Sequence, residues 1–246
     1  MVMVITSPQN GEMRQTYRNT VLSRLGEDTQ YAFLIGRSSS ETEAQIYGEL
    51  TQFNDMIVGN FQDSYENLTI KSLFALKWIS DHCPQTRHML KVDDDVYANV
   101  PAITNYLRTI NTEQPSVFGV LFKKVIPISK SSNKWHADAF YLSKYGCGLP
   151  TYVSGPAYII DTEITRPLFN VGMEAHFLRL EDAFITGVCV ENLRQHGYNI
   201  QHIDMIKLQR YEPLNSIDDV STNLLTLHGL DKNALTEFWK KIFIVK

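Results

Sequence analysis

The chain has 246 residues, a formal net charge of −4 and a pI near 6.0, and 43% of its residues are hydrophobic. This composition indicates a globular chain with one sizeable core, or two closely packed halves, and it excludes a basic surface for nucleic acid. No run approaches the roughly 18 consecutive apolar residues of a membrane-spanning helix, and the start of the chain lacks a signal-peptide pattern.

Residues 1–6 already have the pattern of a buried strand. We therefore expect the chain to begin within the fold, as it would after removal of a leader segment. Any membrane association would then depend on an anchor that is absent from this chain.

Short apolar runs alternate with helix-patterned segments through the first hundred residues. They predict strands at residues 2–6, 31–35, 56–58 and 88–92. Residues 68–81 carry apolar side chains at helical spacing and predict a helix that covers the sheet. This alternation predicts an α/β fold with helices packed against a sheet.

The second half of the sequence is less regular. Pro101 suits the first turn of a helix that runs to about residue 110. Residues 129–133 are polar and loop-like, and residues 145–150 predict a turn. Residues 151–160 predict a strand that is interrupted at Gly155 and Pro156. We find no linker long enough to separate two autonomous domains.

Three adjacent carboxylates, Asp93, Asp94 and Asp95, follow the fourth predicted strand. Because side chains alternate between the two faces of a strand, we expect Asp93 and Asp95 to converge on one site and Asp94 to point the other way. Oxygen ligands suit Mg²⁺ or Mn²⁺, which keep open positions for substrate phosphates. The pattern therefore indicates a metal and nucleotide site, with a solvated acidic turn as the alternative.

Cys83, Cys147 and Cys189 are too few and too dispersed for a disulfide scaffold, and no CxxC pair indicates zinc. One disulfide with a free thiol and three reduced thiols both remain open. Asn67 begins the single Asn-x-Thr sequence, which is an N-glycosylation acceptor only in a secretory compartment.

Seven segments occur in an order that is typical of one family. They are MRQTY, AFLIG, NFQDSYENLTIKS, KVDDDVYAN, YVSGPAYII, EDAFITGVC and a late apolar run that ends in His228. Together they resemble the galactosyltransferase domain of glycosyltransferase family 31, the β-1,3-galactosyltransferase and β-1,3-N-acetylglucosaminyltransferase group. The resemblance implies a GT-A fold, a Rossmann-like mixed sheet flanked by helices, in a single domain over residues 1–246. Residues 1–100, approximately, would bind the nucleotide sugar, and residues 101–246 would hold the acceptor and the catalytic group.

The resemblance also implies an activity. Members of this family use a UDP-sugar donor and Mn²⁺ or Mg²⁺, and they transfer a hexose or N-acetylhexosamine with inversion to a glycan on a glycoprotein or glycolipid. For this chain we expect galactose, a β-1,3 linkage and a place in the Golgi lumen.

The resemblance assigns residues to the donor site. Asp93 and Asp94 would bind the nucleotide, Asp95 and Asp93 would bind the metal, and His228 would complete the metal site. The ordinary alternative for His228 is a core or surface histidine.

Two basic residues are further candidates for the donor site. Arg14 matches an arginine of the family, and its forked donors suit a diphosphate. Lys71 is a second candidate, with a solvated lysine on an exposed helix face as the alternative.

On the acceptor side, inversion by single displacement requires one general base. By resemblance Asp182 is that base, and Glu181 orients or binds the substrate; an N-capping Asp with Glu in the first helical turn is the structural alternative. Trp135 would stack on a sugar face or serve as a packing anchor. Gly155 would permit close approach of the backbone.

The chain departs from the family pattern at several positions. Tyr17 stands where the family usually has Trp, and Gln9 and Asn10 lie where relatives often carry a basic residue. Weaker donor binding would follow. Pro156 replaces a small residue, which would change the shape of the acceptor loop, and the absence of a late cysteine would leave Cys189 unpaired.

Two other classes of function are open. One is a catalytically degenerate glycan- or nucleotide-binding module of the same fold, against which the intact acid triplet, Asp182 and His228 count. The other is a phosphohydrolase with two metals about 4 Å apart, for which the sequence offers too few carboxylates.

Overall fold

The computed structural model describes residues 1–38, 40–205, 209–210 and 224–243, and a mixed sheet lies at its centre. The strands in chain order are β1 (Val2–Ile5), β2 (Tyr31–Arg37), β3 (Met56–Gln62), β4 (His88–Asp93), β5 (Val96–Ala98), β6 (Ser116–Gly119), β7 (Leu121–Phe122), β8 (Tyr152–Val153), β9 (Ala157–Asp161), β10 (Gln201–Asp204), β11 (Gln209–Arg210) and β12 (Thr226–His228). The main sheet has the order β10-β6-β9-β4-β1-β2-β3; β11-β12-β5 form a second sheet and β7-β8 a third.

Helices cover both faces of the main sheet. The α-helices are α1 (Gly11–Asn19), α2 (Ser40–Phe53), α3 (Leu68–His82), α4 (Val100–Thr109), α5 (Ala139–Tyr145), α6 (Thr165–Glu174), α7 (Val190–Gln195) and α8 (Lys232–Phe243). Short 3₁₀ turns occupy Val21–Arg24, Tyr65–Asn67 and Thr162–Ile164, and a π-helical segment, Ala183–Cys189, runs directly into α7.

The strands that contribute to the site do so at one edge of the sheet, which is formed by the carboxyl ends of β1 and β4. β1 is parallel to β2 and to β4, so the residues after Ile5 and Asp93 emerge side by side. β9 is antiparallel to β4, with Ala157 opposite Val92, which brings the residues before β9 to that same edge. Parallel strands collect ligand-binding residues at their carboxyl ends, and this edge is therefore the expected place for a site.

The period-two pattern of β1 divides the core into two layers. Met3 and Ile5 pack with residues of α3 and α6, whereas Val2 and Val4 pack with residues of α1, α4 and α8. Strands buried on both faces have continuous apolar sequences, as the first strand does.

Most of the predicted elements are confirmed. The four early strand predictions correspond to β1–β4, the helix at residues 68–81 is α3, and the helix from Pro101 is α4. The side chain of Asn99 caps α4 by accepting the N–H of Ala102 at 3.2 Å. The interruption at Gly155 and Pro156 separates β8 from β9. The predicted α/β fold is therefore correct.

Two further predictions concern disulfide bonds and membrane-spanning helices. All three cysteines, Cys83, Cys147 and Cys189, have free thiols. Across the described ranges of the chain, no helix has the length and apolar character needed to cross a membrane.

Candidate active site

Each carboxylate of the acid triplet has a different partner. Asp93 Oδ1 accepts a hydrogen bond from Lys91 Nζ at 2.5 Å, and Asp95 Oδ2 lies 3.3 Å from His228 Nε2. Asp94 has other partners. β4 ends at Asp93, and Asp94 and Asp95 form a turn, so the strand alternation from which we expected Asp93 and Asp95 to converge does not extend to these residues.

Asp94 anchors the segment that follows β1. Its Oδ2 atom accepts hydrogen bonds from Thr6 Oγ1 at 2.5 Å and from Asn10 Nδ2 at 2.9 Å. Its backbone N–H donates to the carbonyl of Ile5 at 3.1 Å. Asp94 therefore holds the β1–α1 loop against the acid triplet, and its carboxylate is engaged within the protein.

The Asp95–His228 pair joins two distant parts of the chain. β12 runs antiparallel to β5 with His228 opposite Val96, and the carbonyl of Asp95 accepts the N–H groups of Gly229 and Leu230 at 3.0 and 2.9 Å. The hydrogen bond to Asp95 raises the pKa of His228 above its ordinary value. The second carboxylate oxygen, Asp95 Oδ1, is buried and has no hydrogen-bond partner among the described residues.

These two residues fit a divalent metal that is shared with a substrate. Within the described ranges, no three His, Cys, Asp or Glu side chains form a group able to hold a metal. Mg²⁺ and similar ions are nevertheless often held by one or two protein groups together with substrate phosphates. The buried Asp95 Oδ1 atom, which has no hydrogen-bond partner in the described part of the chain, and the nearby His228 Nε2 atom would be two protein ligands of this kind. Asp93 contributes less directly, because Lys91 occupies one of its oxygens.

Asp182 lies at the same edge on a different element. Its Oδ1 atom accepts the N–H of Ala183 at 2.8 Å, so it caps the π-helical segment as the structural alternative proposed. Thr186 Oγ1 donates to the carbonyl of Asp182 at 2.6 Å and accepts the N–H of Val153 at 3.0 Å, which fixes this turn against β8. Burial, and then the neighbouring Glu181, raise the pKa of Asp182 to about 6.

Glu181 is buried behind Asp182. It is 7% exposed, its Oε1 atom accepts the hydroxyl hydrogen bond of Tyr158 at 2.6 Å, and its Oε2 atom lies 3.9 Å from Lys91 Nζ. Neither Lys91 nor Tyr158 was assigned a role from the sequence motifs. The spacing of Lys91 and Asp93, two residues apart on one strand, was the available signal that both side chains face the site.

Arg14 is a buried residue whose guanidinium faces inward. It is 1% exposed and forms two hydrogen bonds to Glu49, at 2.9 and 2.7 Å. It also donates to the carbonyls of Ser7 at 2.6 Å and Pro8 at 3.1 Å. In this structure Arg14 therefore shapes the β1–α1 loop from behind, and a direct contact with a diphosphate stays a prediction.

Lys71 is also buried, at 2% exposure, so the alternative of a solvated lysine is wrong. Its Nζ atom lies 2.7 Å from Asp63 Oδ2 and donates to the carbonyl of Thr6 at 2.9 Å. Burial lowers its pKa. Because Thr6 contacts Asp94, Lys71 supports the triplet through one intervening residue.

Of the acceptor candidates, Gly155 lies directly beside Asp182, and Trp135 is connected to this region through Tyr65. The indole of Trp135 is hydrogen-bonded to the hydroxyl of Tyr65, and both side chains are about half exposed. Burial, and then the charge of Asp182, raise the pKa of Tyr65, which places this aromatic pair within electrostatic reach of the base candidate. The carbonyl of Gly155 accepts a hydrogen bond from Lys91 at 2.7 Å.

The mixed sheet, with its carboxylate-rich edge, has the architecture of a GT-A-type glycosyltransferase. The solved structure of the WbbM bifunctional glycosyltransferase superposes with a TM-score of 0.50 at 9% identity, over 96% of this chain and 49% of that one. The match covers about half of the WbbM chain and shows the fold alone.

Sequence comparison gives the family. Residues 9–203 match the sequence model described as Galactosyltransferase. Beta-1,3-galactosyltransferase 4 of Rattus norvegicus is 27% identical over 98% of this chain and 72% of its own length. Beta-1,3-galactosyltransferase 5 of Mus musculus is 30% identical over 79% of this chain and 63% of its own length. The chain belongs to the galactosyltransferase family, and it is an enzyme of the glycosyltransferase class. The resemblance identified from the motifs is confirmed, and the family implies a nucleotide-sugar donor and a sugar acceptor.

Proposed function

We propose that this chain transfers a hexose, with galactose as the first choice, from a UDP-sugar to a hydroxyl of a glycan, with inversion and in β-1,3 linkage. The observation that carries the proposal is the position of Asp182, a partly buried carboxylate whose pKa is raised to about 6, at the same sheet edge as the acid triplet. Inverting transfer requires this combination of a donor site and a separate base.

The donor half is proposed from the residues around β1 and β4. Asp95 and His228 would hold Mn²⁺ or Mg²⁺, and Asp93 would lie beside the metal and the nucleotide. Asp94 would act on the nucleotide indirectly, by holding Thr6 and Asn10 in the β1–α1 loop. Arg14 and Lys71 would preserve the shape of the loop that carries Thr6 and Asn10, as their inward contacts suggest. When bound, the dication supplies charge that stabilises the departing diphosphate.

The acceptor half is proposed from the second part of the chain. Asp182 would accept the proton of the acceptor hydroxyl as the new glycosidic bond forms and the bond to UDP breaks. A base is most effective when its pKa lies near the working pH, and burial moves Asp182 towards that range. Trp135 would stack on the sugar face, and Glu181 would orient the base.

The biological setting is proposed by analogy with the family. We place the activity in the Golgi lumen, on glycoproteins or glycolipids, as the catalytic domain of a membrane-anchored protein. The division into a nucleotide-sugar half (residues 1–100) and an acceptor half (residues 101–246), in one domain, is part of this proposal.

The test is UDP release from UDP-galactose, UDP-N-acetylglucosamine and UDP-N-acetylgalactosamine with a mixed pool of glycan acceptors. We expect release that requires Mn²⁺, stops with EDTA and is lost in Asp95→Asn. Asp182→Asn should still bind UDP and should not transfer the sugar. Product linkage analysis then establishes the position of the new bond.

Three outcomes would contradict parts of the proposal. Transfer retained by Asp182→Asn would exclude that residue as the base. UDP binding without transfer of any of the three sugars would favour the degenerate binding module. Absence of UDP binding by the folded wild-type protein would exclude the donor site itself.

A further inference from the structure

We infer that Lys91 is a positioning residue that joins the donor site to the catalytic base, by holding Asp93, the Gly155 carbonyl and Glu181 around one buried ammonium group. The inference rests on the proposed function, and it adds a residue to which the motifs assign no role.

Three of the contacts of Lys91 meet at a single atom. Its Nζ atom donates to Asp93 Oδ1 at 2.5 Å and to the carbonyl of Gly155 at 2.7 Å, and it lies 3.9 Å from Glu181 Oε2. The side chain is only 3% exposed. Asp93 belongs to the donor motif, whereas Gly155 and Glu181 belong to the segments that contact or precede Asp182. Lys91 therefore connects the two halves of the site.

The register of the sheet fixes this arrangement. Lys91 on β4 lies directly opposite Tyr158 on β9, and its ammonium lies 5.6 Å from the centre of the Tyr158 ring. The hydroxyl of Tyr158 donates to the other oxygen of Glu181 at 2.6 Å. One cross-strand pair thus holds both carboxylate oxygens of Glu181, and the position of the next residue, Asp182, depends on it.

The electrostatic balance of the site also requires a cation at this point. Asp93, Glu181 and Asp182 are carboxylates that repel one another, and of the three Glu181 is buried together with Lys91. A buried charge without a partner is costly, and a carboxylate in that situation takes up a proton instead. The ammonium of Lys91 is hydrogen-bonded to Asp93 and lies 3.9 Å from Glu181, so its positive charge offsets part of this repulsion.

A guanidinium would not reproduce this geometry. Lysine presents a compact charge with donors that can point to several acceptors at once, whereas arginine presents a planar fork. Lys91→Arg should therefore retain the charge but displace Gly155 or Glu181. This difference allows the charge and the geometry of Lys91 to be tested separately.

The experiment compares Lys91→Met and Lys91→Arg with wild type and with Lys77→Met, which removes a half-exposed lysine from the outer face of α3. The measurements are UDP affinity in Mn²⁺, kcat, the acceptor KM and thermal stability. We expect Lys91→Met to weaken UDP binding and to lower kcat, each by roughly 10–100-fold, the range typical of residues that orient a site. Lys91→Arg should recover most of the UDP affinity while kcat remains low, and Lys77→Met should match wild type.

Wild-type kcat and UDP affinity in a folded Lys91→Met protein would overturn the inference, as would a lower melting temperature with unchanged kinetics. If Lys91→Met does not fold, the double-mutant cycle of Asp93→Asn and Glu181→Gln replaces it. The inference requires that their effects on kcat/KM are not additive, because both residues share the ammonium; additive effects would overturn it. If wild type transfers no sugar, the proposed function fails, and UDP affinity in the Lys91 variants still tests the donor half of the inference.

Discussion

Asp182 and Gly155 approach so closely that a Cβ atom on residue 155 would lie 3.2 Å from Asp182 Oδ2. That distance is shorter than an ordinary van der Waals contact. The glycine therefore leaves space for the carboxylate oxygen that is not engaged in capping the helical segment.

Replacing Gly155 should displace the carboxylate of Asp182, the proposed base, without changing the binding of the nucleotide-sugar donor. We expect Gly155→Ala to lower kcat about tenfold by displacing the Asp182 carboxylate a few tenths of an ångström, with UDP affinity unchanged. Gly48→Ala is the matched control, because a Cβ at residue 48 meets no atom within 4 Å. Equal kinetics of the two variants would show that the contact has no catalytic consequence.

The rate of transfer should depend on pH through Asp182. The carboxylate must be ionised to accept a proton, and its pKa is raised to about 6, so kcat should fall as pH decreases through that value. Asp161 provides a control. Its pKa is also raised to about 6 by burial, but it lies at the other end of β9, 3.2 Å from His88. A pH–rate profile of Asp161→Asn should retain the acidic limb of wild type. Loss of the acidic limb in Asp161→Asn would show that the limb reports Asp161 and not Asp182.

The proposed metal pair gives a prediction for His228. We expect His228→Gln to lower the affinity for UDP in the presence of Mn²⁺ about tenfold or more, since one of the two proposed protein ligands of the metal is lost. His196→Gln is a control on an exposed histidine of the helical segment that follows the base. Calorimetric titration of UDP at several Mn²⁺ concentrations measures the effect. Identical titrations for wild type and His228→Gln would remove His228 from the metal site.

Arg14 and Glu49 should act together on stability. Breaking a buried pair by changing one partner typically costs about 3 kcal/mol or more, so Arg14→Met and Glu49→Gln should both lower the free energy of unfolding; Glu49→Gln also disrupts the 2.7 Å contact of Glu49 with Arg18. If Arg14 acts only through the loop, the two variants should weaken UDP binding to a similar extent. A loss of UDP affinity confined to Arg14→Met would instead establish a direct contact with the diphosphate. Urea denaturation and UDP titration measure the two effects.

The aromatic pair Trp135 and Tyr65 should affect the binding of the acceptor and not that of the donor. We expect Trp135→Ala to raise the acceptor KM roughly tenfold by removing a stacking surface, while UDP release to water in the absence of acceptor is unchanged. Phe140→Ala, another exposed aromatic residue, is the control. An unchanged acceptor KM in Trp135→Ala would favour the alternative that this tryptophan is a packing anchor.

The sequence predicted those parts of the molecule whose patterns are local. β1 to β4 and α3 were recognisable because a buried strand or an amphipathic helix repeats its apolar residues over a few positions. The acid triplet was recognisable because its three residues are adjacent. In both cases the information lies within a short segment of the chain.

The contacts that organise the site are not local. A lysine in a sequence is normally solvated, and only the packing of α3 and β9 reveals that Lys71 and Lys91 are buried. The hydroxyl of Tyr158 reaches Glu181 across separate elements, and no spacing along the chain encodes that contact. Strand alternation was extended from Val92 through the three aspartates, whereas β4 ends at Asp93 and Asp94 and Asp95 form a turn, as the alternative interpretation of an acidic turn had it.

The pairing of β12 with β5 has a consequence for the order of assembly. β1, β4 and the acid triplet precede β12 in the chain, so they emerge earlier during synthesis, and folding begins with the part that emerges first. Asp95 acquires His228 only when β12 has been made and has docked beside Val96. A nascent or truncated chain that ends before β12 can therefore form much of the sheet while it still lacks the contact between Asp95 and His228, and the proposed transfer should begin only after β12 has been made.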